Sequence, residues 1–106
     1  MPKRALELLT ESMFYVLMAF LRGPMCGIDV MDTVERITEG RVRLGPATLY
    51  TILAKFEQVR YIAETEVDGR RRTYEITEKG RQAYEEELAR LWHCVADAEK
   101  EERSHV

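Results

Sequence analysis

Between Gly45 and Ile76 the spacing of apolar residues changes period, and that change leaves the chain few folds to choose from. In "GPATLYTILAKFEQV", Leu49, Ile52, Leu53, Phe56 and Val59 recur at helical intervals. Gly45 followed by Pro46 suits the start of that helix. After Val59 the period drops to two. "YIAETEV" alternates Tyr61, Ala63 and Thr65 against Ile62, Glu64 and Glu66. Asp68–Gly69 is a strong two-residue hairpin signal, and "RRRTYEI" returns as a second strand with Tyr74 and Ile76 apolar.

The flanking segments complete an order. Thr10 or Ser12 can cap a first helix that runs to about Arg22, where "GPMCG" breaks it. A second amphipathic helix is expected from about Ile28 to Thr38, with Ile28, Met31, Val34 and Ile37 on one side and Gly40 as its stop. A last helix begins at Thr77 in "TEKGRQAYEEELARLWHCVADAEKEE". Helix, helix, helix, hairpin, long helix is the order of a winged helix-turn-helix. The expected fold is therefore mainly α with a small β-hairpin. A winged helix-turn-helix occupies 1–76, and a long C-terminal dimerisation helix occupies 77–106. The helix before the hairpin takes the place of a recognition helix, and the hairpin tip is the wing.

The polar side of that third helix carries Thr48, Thr51, Lys55 and Gln58, with Tyr50 at its edge. Glu and Lys, better helix formers than Thr, are the usual residues of a merely solvated face. Thr and Gln can bond base edges or phosphates, and a Thr methyl can pack on thymine. Lys55 and Tyr50 suit phosphate oxygens. Alone, such a face is weak evidence, because most short polar faces are only solvated. The wing adds a second signal: Arg70, Arg71 and Arg72 directly follow the tight turn. Neighbours in a strand point to opposite faces, so at least one of the three cannot serve the core. The structural alternative is ion pairing with Glu64 and Glu66 across the hairpin.

The sum of charge opposes a nucleic-acid partner, but its distribution does not. The 106 residues sum to −3, but the segments 1–35, 36–72 and 73–106 carry −2, +3 and −4. An acidic protein with one basic segment can dock on phosphates through that segment alone. At this length one domain with a modest core is expected, and help from a partner chain would be unsurprising. The longest apolar run, Met13 to Leu21, is too short to span a bilayer, and Met1 to Thr10 lacks the pattern of a secretory signal. Cys26 and Cys94 give no disulfide framework, so a reducing cytoplasm is the parsimonious compartment. His93 and His105 lie far apart, His93 beside Cys94 makes only an adjacent pair, and no zinc set, phosphate loop or nucleophile with base and orienting acid is present in the sequence. Neither an enzyme nor a cofactor or metal is expected. Cys26 reads as a small packing residue.

The sequence resembles the PadR family of bacterial winged-helix transcriptional regulators. The resemblance rests on "GPMCGIDV" at 23–30, "LGPATLYTILAKFE" at 44–57, "GRRRTYEITEKG" at 69–80 and the long last helix, which together cover nearly the whole chain. The short length is similar to the compact branch of the family, with one C-terminal helix. Three positions depart from the family pattern: Arg60 where glycine is usual, Cys26 where His or Tyr is frequent, and Ala47 where a further glycine is common. The resemblance implies a homodimeric repressor that binds a palindromic operator on double-stranded DNA and releases it on meeting a small molecule. By position it also implies DNA contact by Thr48, Tyr50, Thr51 and Lys55 of the recognition helix and by Arg70, Arg71 and Arg72 of the wing. Pro24 and Gly27 match the turn between the first two helices, where their role is shape. The alternative function is a winged-helix protein-interaction module that does not bind DNA.

A dimer is also expected from the residues themselves. Met13 to Leu21 is apolar nearly all round, whereas a helix packed on one side needs only a stripe. The last helix has its own stripe in Tyr84, Leu88, Leu91, Trp92 and Val95 and outruns the small domain before it. A second chain would cover both surfaces; the alternative is that the last helix folds back on the first. Across a two-fold axis Trp92 would appear twice. Either it seals the dimer as a packing residue, or two facing indoles form a slot for a planar aromatic or cationic molecule, lined by Tyr15, Met18, Leu88, Trp92 and Val95. Some members of the resembled family take planar drugs at the dimer interface, which is what the resemblance implies here.

Overall fold

The computed structural model describes residues 9–104; the termini, including His105, lie outside the described residues. The order is α1 (Glu11–Phe20), β1 (Met25–Cys26), α2 (Gly27–Ile37), α3 (Pro46–Gln58), β2 (Ile62–Asp68), β3 (Arg71–Ile76) and α4 (Glu78–Ser104). The chain is mainly helical with a small antiparallel sheet, a winged-helix fold with a long C-terminal helix. The sheet has three strands in the order β1-β3-β2 rather than the two of a bare hairpin. Met25 pairs with Tyr74 and Cys26 with Thr73. A strand of two residues has no period to read, so β1 is invisible in the sequence.

Thr10 caps α1, its hydroxyl accepting from the Met13 amide at 3.1 Å. Replacing such a cap by Ala costs about 1 kcal/mol. The helix stops earlier than the apolar run suggests. The amides of Leu21, Arg22 and Gly23 each bond three residues back, to Met18, Ala19 and Phe20, so the last turn tightens. Six of the ten α1 residues are buried within the single chain: Met13, Phe14, Val16, Leu17, Ala19 and Phe20. Cover comes from α2, α4 and β3. The ring of Phe14 stacks on Tyr84 of α4 at 5.0 Å. Contrary to the expectation, α1 finds its cover within its own chain, because the first half of α4 folds back on it.

The stripe of α2 is rotated from the expected one. Gly27, Val30, Thr33 and Val34 are buried, Met31 and Ile37 are half-buried, and Ile28 is 57% exposed. Residues 27, 30 and 34 satisfy a helical period as well as 28, 31 and 34 do, and tertiary contact decides between them. The Thr33 hydroxyl donates to the Met25 sulfur at 3.8 Å, which ties α2 to β1. The stop uses two left-handed residues, Glu39 at φ 53° and Gly40 at φ 81°, and the Gly40 amide closes on the Glu35 carbonyl at 2.8 Å.

α3 runs Pro46–Gln58 with Leu49, Ile52, Leu53 and Phe56 buried. Its end is a Schellman turn built on a non-glycine. Arg60 sits at φ 66°, its amide bonds Glu57, and the Tyr61 amide bonds Phe56 at 2.8 Å. The rings of Phe56 and Tyr61 meet at 5.7 Å, supplying the apolar contact that accompanies such a turn. Tyr61 and Ile62 are consequently both buried, where strict alternation would expose one of them. The start of α4 is bolted to this corner. The Thr77 hydroxyl donates to the Arg60 carbonyl at 2.6 Å and accepts from the Gly80 amide at 3.0 Å. The Thr77 amide bonds Tyr61. Gly80 lies so close that a Cβ would stand 2.2 Å from the Tyr61 carbonyl oxygen.

In the hairpin Asp68 pairs with Arg71, so the turn residues are Gly69 and Arg70. Gly69 supplies the left-handed φ of 64° that the turn needs. Register slips between Glu64 and Glu66, leaving Thr65 as a bulge opposite Tyr74 and Thr73, and its hydroxyl bonds the Thr73 carbonyl at 3.3 Å. Beyond the bulge both strands are mostly exposed, so the wing stands clear of the body.

Two substitutions test the corner. Gly80→Ala should destabilise by about 1–3 kcal/mol, because the clash is with backbone. Arg60→Gly should stabilise by roughly 0.5–1 kcal/mol, since left-handed strain outweighs the extra freedom of the unfolded glycine. Urea midpoints at unchanged slope measure both; equal midpoints for all three proteins would contradict this account of the corner.

Candidate nucleic-acid interface

Burying Leu49, Ile52, Leu53 and Phe56 inward forces the intervening residues outward. Thr48, Tyr50, Thr51, Lys55 and Gln58 are all exposed. The Thr51 hydroxyl donates to the Ala47 carbonyl at 2.9 Å. Thr51 therefore presents its methyl and its acceptor lone pairs, while its proton stays in the helix. Thr48 and Thr51 line a depression with Thr10 and Ser12 from the start of α1.

Arg70, Arg71 and Arg72 are exposed on the wing. Arg72 pairs with Glu64 across the hairpin at 3.5 Å. The structural alternative thus holds for one arginine, through an exposed pair worth about 0–1 kcal/mol. Arg70 and Arg71 form no ion pair among the described residues. Pairing with Val67 and Asp68 respectively, Arg72 and Arg71 point to opposite faces of the strand.

α3 and the wing meet over a cleft of about 240 Å³. Tyr50 comes from α3, Tyr74 from β3, the three arginines from the wing, and Cys26 to Ile28 from the start of α2. No side chain caps that end of α2, and the Cys26 thiol turns instead to the Asp29 carboxylate at 3.4 Å. The open end carries the positive pole of the helix dipole. Burial pushes the Tyr74 phenol up from its ordinary pKa, and Glu57 adds to the shift, while Arg72 opposes it. Tyr74 therefore remains a neutral hydroxyl at neutral pH. Sequence reasoning found Tyr50 and the arginines but missed Cys26, Gly27, Ile28 and Tyr74. The one available signal was Gly27, a glycine where a helix begins.

The residues expected to hold a planar ligand are only partly brought together. Tyr15 and Met18 are half-buried on α1, and Leu88 is half-buried on α4. Trp92 and Val95 are 64% and 46% exposed. Tyr15 accepts from Arg41 at 2.7 Å, and the same guanidinium lies 5.7 Å from the centre of its ring and bonds Glu11. A cavity of about 350 Å³ places Tyr15 and Phe14 opposite Glu87, Arg90 and Leu91 of α4, with Met18, Leu88, Trp92 and Val95 outside its walls. Glu87 is buried and paired with Arg90.

The exposed face has a consequence for stability. Thr51→Ala and Lys55→Ala should each shift stability by no more than about 0.5 kcal/mol. Thermal melting checks this, and a large fall in either variant would show that the face is packed.

A family model described as "Transcriptional regulator PadR-like family" matches residues 16–86. Over 84 residues the chain is 33% identical to a 37.1 kDa protein in transposon TN4556 of Streptomyces fradiae. That match covers 76% of this chain and 24% of the relative, so the chain spans about a quarter of the relative's length. Among solved structures, a transcriptional regulator from Clostridium thermocellum superposes with a TM-score of 0.71 at 22% identity, covering 84% of this chain and 89% of the other. Bacillus subtilis PadR in complex with operator DNA superposes at 0.66 and 17% identity, covering 74% of this chain and 47% of the other. No helix among the described residues is long and apolar enough to cross a membrane. With the fold, the matched span and the hairpin in register, the chain belongs to the PadR-like family of transcriptional regulators.

Proposed function

We propose that this regulator is a homodimeric repressor that reads a double-stranded DNA operator through α3 and holds the flanking phosphates with its wing. One observation carries the reading: Tyr50, from the exposed polar face of α3, and the three exposed arginines of the wing line one cleft. Thr48, Thr51 and Lys55 reach base edges or phosphates in the major groove, and Arg70, Arg71 and Arg72 supply charge that is indifferent to sequence. The division of labour falls at Thr77, with DNA contact in 1–76 and dimerisation in 77–106. The cytoplasm, where an operator is found, is its place of work.

The dimer rests on the second half of α4. Trp92 and Val95 are the large apolar residues this helix leaves exposed. A second copy is the natural cover, and its geometry must set two recognition helices about 34 Å apart, one turn of DNA. A planar aromatic or cationic ligand held near Trp92, Val95, Leu88, Tyr15 and Met18 would release DNA only by binding the two dimer shapes with different affinity. A protein-interaction module that does not touch DNA is the second reading, favoured by the net charge of −3.

Titration of a random-sequence duplex with salt separates the two. A repressor should bind weakly and lose affinity steeply as salt rises, by a logarithmic slope of about 0.9 per phosphate neutralised. Replacing all three wing arginines by alanine should weaken operator and random DNA alike and flatten that slope. Thr51→Ala or Lys55→Ala should cost about 1–3 kcal/mol at the operator where a base contact is lost. Absence of salt-dependent binding would favour the interaction module. For the dimer, sedimentation of Trp92→Ala should show weaker self-association than the parent. Quenching of Trp92 by a planar aromatic cation in the parent would support the ligand slot, and no quenching would leave Trp92 as a packing residue.

A further inference from the structure

Gly27 is the first residue of α2, is buried, and has no left-handed φ. Glycine in a helix is unfavourable relative to alanine, so its use there needs a reason other than backbone conformation. The reason is the ring of Tyr50. A Cβ on Gly27 would stand 2.9 Å from the Tyr50 hydroxyl oxygen, 3.1 Å from Cε1 and 3.2 Å from Cζ. At Gly23, Gly45 and Gly69 a Cβ would meet nothing within 4 Å. The Tyr50 ring therefore lies directly on the Gly27 backbone. It is otherwise 52% exposed, so the core does not fix it. Its hydroxyl end stands in the same cleft as Arg70, Arg71 and Arg72.

We propose that Gly27 is the positioning residue for Tyr50: lacking a Cβ, it seats the phenol so that its hydroxyl donates to the DNA phosphate that the wing arginines hold. This rests on the DNA-binding reading above. A tyrosine held in place before binding loses less freedom on contact, and it lies across the cleft from cations that attract the same anion. A methyl group at position 27 would push aside only the far end of a half-exposed side chain. The fold can yield to that, while the hydroxyl moves off its seat. Position 27 therefore separates positioning from stability.

The test uses the full chain as parent, Gly27→Ala, Tyr50→Phe, Tyr50→Ala, the Gly27→Ala/Tyr50→Ala double variant and the triple wing-arginine variant. Three measurements are made: binding to a short random-sequence duplex at low salt, thermal melting, and the Gly27 Hα chemical shifts. Gly27→Ala should melt no lower than the parent yet bind DNA several-fold more weakly, matching Tyr50→Phe. In the Tyr50→Ala background, where the ring is gone, the same substitution should change affinity by less than about twofold. The Gly27 Hα resonances should carry a ring-current shift that disappears in Tyr50→Ala. The proposal is overturned if Gly27→Ala binds like the parent, if it weakens binding equally with the ring absent, or if Tyr50→Phe binds like the parent. In those cases loss of binding in the wing variant would still leave the DNA-binding reading standing. A parent that shows no salt-dependent binding would remove both.

Discussion

The hydroxyl of Thr77 ties together three segments whose relative placement makes the winged helix. It donates to the Arg60 carbonyl at the end of α3, accepts from Gly80 in the first turn of α4, and stands where β3 ends. One side chain thus fixes the angle at which the chain leaves the recognition helix and the line along which α4 departs. Around it, the left-handed Arg60 turns Tyr61 onto Phe56, and Gly80 lets α4 sit against the Tyr61 backbone. Removing a Cβ at one point and accepting strain at another serve the same corner. The corner sets where the wing and α4 leave α3.

The charge layout follows the same geometry. The cations of the middle third are spread over the end of α2 (Arg36), the loop before α3 (Arg41, Arg43), α3 and its end (Lys55, Arg60) and the wing (Arg70 to Arg72), while the acidic last third runs mainly along α4. The net charge of −3 therefore hides a basic middle third between two acidic ones. Arg72 both pairs with Glu64 across the hairpin and lines the cleft. Arg41, bonded to Glu11 and Tyr15, likewise ties the loop before α3 to α1.

Much of this was legible in the sequence because it depends on local period. The bounds of α3, its buried stripe, the exposed Thr48–Thr51–Lys55 face and the wing arginines all follow from spacing that no tertiary contact overrides. What was hidden depends on contact between distant segments. β1 is two residues long and exists only because β3 lies beside it. The rotation of α2 was undetermined, since two stripes sharing Val34 fit equally well, and packing chose the one that buries Gly27 and Val30. The Thr65 bulge shifts the alternation midway along β2, which a strict period of two cannot anticipate. The cover of α1 is hidden for the same reason: an all-round apolar helix can be enclosed by its own chain once α4 folds back through Tyr84. At the site, Tyr50 looked like an edge residue, and its seat on Gly27 became visible only when the start of α2 was placed against α3.

The central claim is that one face, made of α3, the wing and the start of α2, meets nucleic acid, while α4 does not. Amide chemical-shift mapping during titration with a random-sequence duplex tests it most directly. The account predicts that the largest shifts fall on residues 47–58, 69–73 and 26–28, with the amides from Trp92 to Ser104 unmoved. Shifts concentrated on α4, with the α3 and wing amides unchanged, would contradict it.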